Sequence, residues 1–246
     1  MGECILQDMN KCNRISVTPL TIACILESVA VLLITISVAG QFCKYKLGFN
    51  PETFLALFDL SLEMNIPTFF SVLLLLLASL LLQIITLLKR RLHDQDTMKW
   101  AVLALGFLYM AYDEGFQVHE DLVGIIRPML WKGDLGIFYY AWVIPGLLVV
   151  AVLLLYFWKF LFRLPVVSRN TFVAAAVCYL AGCIGFEMVG GYYNEAYGSF
   201  ANLTCNLISS IEESLEMTGV VIFIFGLLEY LGDGFEEICF QFKLKR

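Results

Sequence analysis

Long apolar runs separated by short polar stretches dominate the chain. A helix needs about 20 apolar residues to cross the bilayer, and all of its backbone polar groups must be satisfied within the helix. The pattern therefore predicts an all-α fold, a polytopic transmembrane bundle that forms a single domain over residues 1–246. About six spans qualify, at approximately 19–40, 66–88, 99–122, 136–162, 170–192 and 206–231.

Composition supports a membrane protein. The chain is 60% hydrophobic and 15% charged, whereas soluble domains are about 45–50% apolar and about 25% charged. Lipid can cover apolar surface that a soluble protein of this size could not bury. The net charge of -6 and the lack of a basic stripe exclude nucleic acid as an expected partner. The expected partners are the lipid bilayer and either further copies of the chain or a larger membrane complex.

Basic residues predict the orientation, because lysine and arginine collect on the cytoplasmic side. The amino end, the loops near 89–99 and 160–170, and the carboxyl end share one side of the predicted bundle. We therefore expect both termini in the cytoplasm. That side holds 12 of the 16 basic residues: Lys11, Arg14, Lys89, Arg90, Arg91, Lys99, Lys159, Arg163, Arg169, Lys243, Lys245 and Arg246.

The first external connection, at about 41–65, is long enough to contain a short helix. Asn50 and Pro51 form a favourable cap and first turn, and Asn65 and Pro67 do the same for the second span. We expect a helix lying on the outer surface of the bilayer. Its apolar residues recur at helical spacing: Phe54, Leu57, Phe58 and Leu60.

Eight cysteines do not define a disulfide framework in a membrane protein. Cys43 and Cys205 both fall outside the membrane in this topology, so they could pair in an oxidising compartment. Sequence supplies no distance between them, and the disulfide stays open.

Acidic residues lie at one depth in three of the predicted spans. At 1.5 Å per residue, Asp113 is about 21 Å above Lys99, and Glu216 is about 22 Å above Leu231. Glu187 of the fifth span lies at a similar height. We therefore expect the spans to gather their ionisable residues near the outer face: Asp113, Glu114, His119, Glu120, Glu187, Glu212, Glu213 and Glu216.

Such a cluster is costly unless something offsets its charge. Each charge at membrane depth costs at least about 2.5 kcal/mol, and carboxylates three or four residues apart on a helix repel each other. A bound cation, shared protons or water in an open cavity could compensate. Glu120 and Glu212 could equally be solvated at the ends of their helices. Three residues could support the site: Glu63, Tyr109 and Gln117.

The ligand types restrict the metals that the cluster could bind. His119 is the only histidine in the membrane region, which excludes a three-histidine zinc site and the histidine-rich di-iron site of membrane desaturases. Carboxylates with at most one imidazole suit calcium, manganese, magnesium or iron. We therefore expect a divalent metal as the candidate cofactor, if the cluster binds one, with the eight clustered residues as its ligands.

Three motifs resemble a family of small multi-span bacterial membrane proteins that is common in cyanobacteria. The stretches FDLSLEMNIPTFFS, DEGFQVHE and EESLEMTG resemble the family patterns FD..E.NIPT.FS, DE....HE and EE..EM.G, although the first stretch has one residue more between Asp59 and Glu63. Two residues depart from the family: Tyr112, where the family often has leucine, and Phe70, where tryptophan or tyrosine is common. The family has no established activity, so the resemblance implies a bacterial plasma or thylakoid membrane and no reaction. It marks Asp59, Glu63, Asn65, Pro67, Asp113, Glu114, His119, Glu120, Glu212, Glu213 and Glu216.

Three functions stay open. The first is an outward-facing cluster that binds a cation or protons and serves their transport. The second is an accessory subunit whose acids meet basic residues of a larger complex. The third is an intramembrane enzyme acting on a lipid or quinone at the outer leaflet, although an enzyme is not the favoured interpretation.

The extent of the third predicted span has an alternative. The helix could end at Asp113, which would leave 114–131 as a segment on the outer surface.

Overall fold

Helices account for most of the residues that the structure describes. A computed structural model describes residues 18–49, 52–130, 133–198 and 202–234, and no strand occurs among them. The helices are α1 (Pro19–Leu47), α2 (Glu52–Phe58), α3 (Ile66–Arg91), α4 (Thr97–Phe116), α5 (Val118–Leu130), α6 (Val143–Arg163), α7 (Val166–Leu180), α8 (Glu187–Tyr197) and α9 (Leu203–Gly234). A short 3₁₀ turn (Gly136–Phe138) precedes α6, and a π-helical turn (Ala181–Phe186) joins α7 to α8.

Five helical segments among the described residues are long and apolar enough to cross a membrane. They are α1, α3, α6, α9 and the continuous run Val166–Tyr197, which contains α7, the π turn and α8. These segments confirm the all-helical fold and support membrane insertion. The number of spans and their orientation in the bilayer stay predictions.

The predicted span over 99–122 is not one helix. Helix α4 ends at Phe116, because Gln117 adopts a left-handed conformation with φ of 56°. Helix α5 then runs separately, and none of its side chains is buried. Helix α4 itself contains Lys99, Asp113 and Glu114, so it is less apolar than the five candidate spans, although it packs closely along α3. The structure thus resembles the alternative with a surface segment after the acids, but the break falls at Gln117.

The short helix predicted between α1 and α3 is present, while its place on the bilayer surface stays a prediction. Helix α2 occupies the expected place, whereas the predicted cap at 50–51 lies outside the described residues. Asn65 caps α3, because its side chain accepts a hydrogen bond from the Thr68 backbone at 3.2 Å. The Asn65 amide also donates to the Asp59 carbonyl at 2.7 Å. The Leu60 N–H donates to the buried hydroxyl of Ser37 at 3.0 Å, which fixes this connection to α1.

Helix α9 is the centre of the bundle and packs against α1, α3 and the continuous run Val166–Tyr197. Glycines permit the closest approach. A Cβ at Gly219 would lie 2.7 Å from the Tyr179 nitrogen, and a Cβ at Gly226 would lie 2.9 Å from the Phe172 ring. Small residues allow close packing of transmembrane helices, where no hydrophobic effect drives their association.

Charged residues join the helices at the predicted cytoplasmic end. Arg163 of α6 pairs with Asp96 in the turn before α4. In the same turn, Asp94 accepts from Lys89 at 3.0 Å and from the Asp96 backbone at 2.8 Å. Burial opposes ionisation of Asp94, but these two hydrogen bonds hold its pKa below the ordinary value.

The open disulfide question has a structural answer. Cys43 and Cys205 are both free thiols. Cys205 is buried, and its Sγ donates to the side-chain oxygen of Asn194 at 3.3 Å. The Asn194 amide in turn donates to the Tyr140 hydroxyl at 2.8 Å. Cys205 therefore belongs to a polar network between α8, α9 and the connection before α6.

Candidate functional site

Asp113 and His119 connect the end of α4 to the start of α5. The Asp113 carboxylate accepts from the His119 backbone at 3.0 Å through Oδ1, and its Oδ2 lies 3.0 Å from His119 Nδ1. Gln117 makes the turn between them. Burial opposes charge on the imidazole, but the hydrogen bond and negative charge of Asp113 raise the pKa of His119 to about 9. His119, which lies outside the five candidate spans, is therefore a cation at neutral pH.

Glu63 approaches the same place from the connection before α3. Its carboxyl group lies beside Gln117 and Thr68 and is close enough to Glu120 and His119 to interact electrostatically. Burial and the neighbouring Glu120 raise the pKa of Glu63 above its ordinary value. The connection between α1 and α3 thus contributes a further carboxyl group beside the acids.

A small cavity lies deeper, between α3, α4, α7 and α9. Four polar residues border it, namely Ser71, Glu114, Tyr179 and Glu216, together with apolar side chains of α3 and α9, and its volume is about 10 Å³. The Ser71 side chain is buried, and its hydroxyl has no hydrogen-bond partner within the described structure. A buried polar atom without a partner is rare in folded proteins and requires an explanation.

Helix α9 carries three carboxylates in this region, and one of them, Glu216, borders the cavity. Glu213 and Glu216 are both close enough to Glu114 of α4 to interact electrostatically, and Glu216 also lies close to Tyr179. Glu212 interacts electrostatically with Glu187 of α8.

The π turn sets the position of Glu187, which is the first residue after it. Tight packing accompanies this turn, because a Cβ at Gly182 would lie 2.7 Å from the Glu212 carbonyl oxygen and 2.9 Å from Glu216 Cγ. Trp142, just before α6, donates from its indole nitrogen to Glu187 at 2.7 Å. Its ring also lies 5.2 Å from the His119 ring. π-Helical turns occur frequently at functional sites.

The eight predicted site residues lie in one region, which we call the acid cluster. It consists of Asp113, Glu114, His119, Glu120, Glu187, Glu212, Glu213 and Glu216, and each interacts with at least one other member. Of the supporting residues, Glu63 and Gln117 join the cluster. Tyr109 does not, because its side chain is 57% exposed and senses only Asp113 among the acids.

Sequence reasoning missed three polar residues that contact the cluster. Ser71 and Tyr179 border the cavity, and Trp142 binds Glu187. Ser71 had a detectable signal, since it is a polar residue one helical turn after Pro67 in an otherwise apolar span. The other two had none, because aromatic residues are common in membrane helices.

The donor atoms around the cavity are carboxylate, hydroxyl and phenol oxygens. Such oxygens are the ligands of hard cations. Among the described residues, no group of three or more His, Cys, Asp and Glu side chains has the arrangement of a metal site. The acids are neighbours, therefore, but they do not converge on one point in this conformation.

Comparison with known proteins identifies a family. No curated protein and no solved structure matches the chain. A family model, described as a domain of unknown function (DUF8692), matches residues 25–231. This match covers the acid cluster and all but the ends of the helical bundle. The chain therefore belongs to the DUF8692 family, an uncharacterised family, here with a helical fold suited to membrane insertion.

Proposed function

We propose that the acid cluster binds a cation or protons near the outer face of the membrane and serves their movement. The cavity beside Glu114 and Glu216 carries this proposal. Carboxyl groups of two helices border it together with the unpartnered hydroxyl of Ser71. A bound species in the cavity would satisfy that hydroxyl and offset the carboxylate charge.

Electrostatic cost supports the same conclusion. Glu114, Glu213 and Glu216 cannot all be charged at membrane depth without a compensating partner, since each charge costs at least about 2.5 kcal/mol. Lys and Arg side chains do not supply that partner, because no described ion pair involves these three residues. His119 is the nearby positive group, and it is already bonded to Asp113. Protons or a cation are the remaining means of neutralisation.

The size of the cavity restricts its occupant. A volume of about 10 Å³ approaches the minimum of about 10–15 Å³ that holds one water molecule. The occupant is then a water that relays protons between the acids, or a small dehydrated cation. For a metal, the oxygen donors favour calcium, magnesium, manganese or iron, and binding would draw the acids into a tighter arrangement.

We also propose where the protein acts. The distribution of basic residues favours both termini in the cytoplasm, with the acid cluster facing outward. The resemblance to cyanobacterial-type proteins favours a bacterial plasma or thylakoid membrane. The cluster would then meet the compartment outside the cytoplasm, from which a cation or proton could enter.

Metal binding can be tested directly on purified protein. Elemental analysis and thermal melting with calcium, magnesium, manganese or iron would compare the wild type with the double variant Glu213→Gln, Glu216→Gln. Glu229→Gln is the matched control, since Glu229 lies on the same helix but at its other end. We expect a bound metal or a rise in Tm for the wild type and the control, and neither for the double variant.

Proton binding requires a second measurement. In weakly buffered detergent solution, a pH indicator would report protons released when the cation is added. Release from the wild type but not from the double variant would show that cation and protons compete at these acids. If the wild type binds no metal and releases no more protons than the double variant does when the cation is added, the proposal is wrong. The acids would then be better explained as contacts to a partner subunit.

A further inference from the structure

A second candidate site lies in the groove between α6 and α7. These two helices are consecutive, yet they hardly touch, and the main backbone contact of α6 among the described elements is with the π turn. The gap is an open groove with a volume of about 840 Å³. Its walls include the exposed side chains of Leu154 and Trp158 on α6 and of Val173 and Val177 on α7.

A single cation lines one end of this groove. Arg169 and Asn170 lie in the first turn of α7, at the end that the basic residues assign to the cytoplasm. The Arg169 guanidinium stacks over the Phe162 ring at 5.5 Å. No described carboxylate lies within ion-pair distance of it, whereas Arg163 nearby is paired with Asp96. The positive charge of Arg169 is therefore available to a ligand.

The dimensions of the groove indicate what fills it. It extends along α7 from Arg169 to Cys178, which is about 14 Å at 1.5 Å per residue. One leaflet contributes about 15 Å of hydrocarbon, half of the usual 30 Å. A partner helix that crosses the membrane would need a surface twice as long. A lipid chain from one leaflet has the matching length.

We propose that this groove binds an anionic phospholipid of the cytoplasmic leaflet. The phosphate contacts Arg169 and the amide of Asn170, and one acyl chain lies between α6 and α7 as far as Cys178. Basic pockets between transmembrane helices on the cytoplasmic side are known to bind anionic headgroups. The lipid would supply the packing that α6 lacks, since only 11% of the apolar stretch of this helix is buried.

Lipid retention measures this binding. Purified protein would be titrated with 1-palmitoyl-2-oleoyl phosphatidylglycerol or with the matching phosphatidylcholine, and the bound lipid counted by native mass spectrometry. We expect the wild type to prefer phosphatidylglycerol and Arg169→Gln to bind it about fivefold more weakly, the effect of one basic residue at an anionic leaflet. Arg169→Lys should keep most of the preference. Lys159→Gln is the matched control, a cationic position at the same end that does not line the groove.

A groove-filling substitution tests the acyl chain. Ala174→Trp places a large side chain between the helices and should reduce the retention of both lipids, while circular dichroism and gel filtration verify that the variant is folded and monodisperse. Unchanged preference in Arg169→Gln, or unchanged retention in Ala174→Trp, would overturn the proposal. So would a wild-type dimer whose interface, mapped by cross-linking, covers Trp158 and Val173. None of these results depends on the acid cluster.

Discussion

Single residues determine how the acids of α4 and α5 are held. The left-handed turn at Gln117 is unfavourable for a residue with a Cβ by about 1 kcal/mol or more. Asp113 offsets this cost with two hydrogen bonds to His119, one to the backbone and one to the ring. One carboxylate thus fixes both the end of α4 and the position of the imidazole.

Asp113→Ala should therefore destabilise the protein more than Asp113→Asn. The asparagine oxygen can still accept from the His119 backbone, whereas alanine loses both bonds, and hydrogen bonds to charged groups contribute about 1.5–3 kcal/mol. Thermal melting in detergent measures the difference. Equal Tm values for the two variants would show that the Asp113 side chain does not stabilise the turn.

Gln117→Gly tests the turn itself. Glycine adopts positive φ without steric cost, so the variant should keep or raise the Tm even though it loses the side chain that lies beside Glu63. Gln117→Val should lower the Tm, because β-branched residues are strongly disfavoured in this conformation. A lower Tm for glycine than for valine would contradict this account.

At the scale of elements, apolar length predicts the helices well but not their irregularities. The long apolar helices, helix α2 and the Asn65 cap followed from local patterns. The position of the break at Gln117 did not, although a span ending at Asp113 was an open alternative, because the bonds that compensate the left-handed turn come from Asp113 and His119. The π turn over Ala181–Phe186 was also missed, since its small and apolar residues suit an α-helix equally well. It depends on packing against α9, which sequence alone does not reveal.

Glycine packing between α7 and α9 gives an element-scale prediction. Gly219→Ala should lower the Tm, because the new Cβ would lie 2.7 Å from backbone atoms of Tyr179. Gly232→Ala is the matched control on the same helix, with no atom within 4 Å of the added Cβ. The control should be neutral or slightly stabilising, since alanine favours helices over glycine by about 1 kcal/mol. Equal Tm values for Gly219→Ala and Gly232→Ala would show that the close approach of Gly219 to Tyr179 does not stabilise the bundle.

The turn between α3 and α4 gives a pH dependence. The folded protein lowers the pKa of Asp94 below 3.8, so this carboxylate stabilises the fold above that pH. The stabilisation disappears as the pH falls through the lower, folded-state value. The Tm difference between the wild type and Asp94→Asn should thus be present at neutral pH and vanish in strong acid.

For the whole molecule, the acid cluster was predicted more completely than its cavity. A common depth and helical spacing were enough to bring together acids from three predicted spans, whereas Ser71 and Tyr179 required the packing of α3 and α7 against α9.

The main topological question concerns α4, whose Lys99, Asp113 and Glu114 make it the most polar candidate for a span. Its close packing along α3 favours a crossing.

Epitope insertion would settle this topology. If α4 crosses the membrane, a tag after Gln95 and a tag after Gly133 must lie on opposite sides. We expect antibody to reach the second tag in intact cells and the first only after permeabilisation. Tags with equal accessibility would place α4 outside the membrane and leave five spans.

Helix α9 is much longer than a bilayer requires. Its 32 residues extend about 48 Å, whereas the hydrocarbon is about 30 Å thick. The excess must be accommodated by tilt or by projection into the headgroups. Because Glu212, Glu213 and Glu216 lie in the amino-terminal half of this helix, the thickness of the surrounding lipid would determine how far they lie from water. A thin membrane would expose the acid cluster to water and favour ionised carboxylates, whereas a thick membrane would exclude water and favour protonated ones. The chain length of the surrounding lipids would then influence the charge of the cluster.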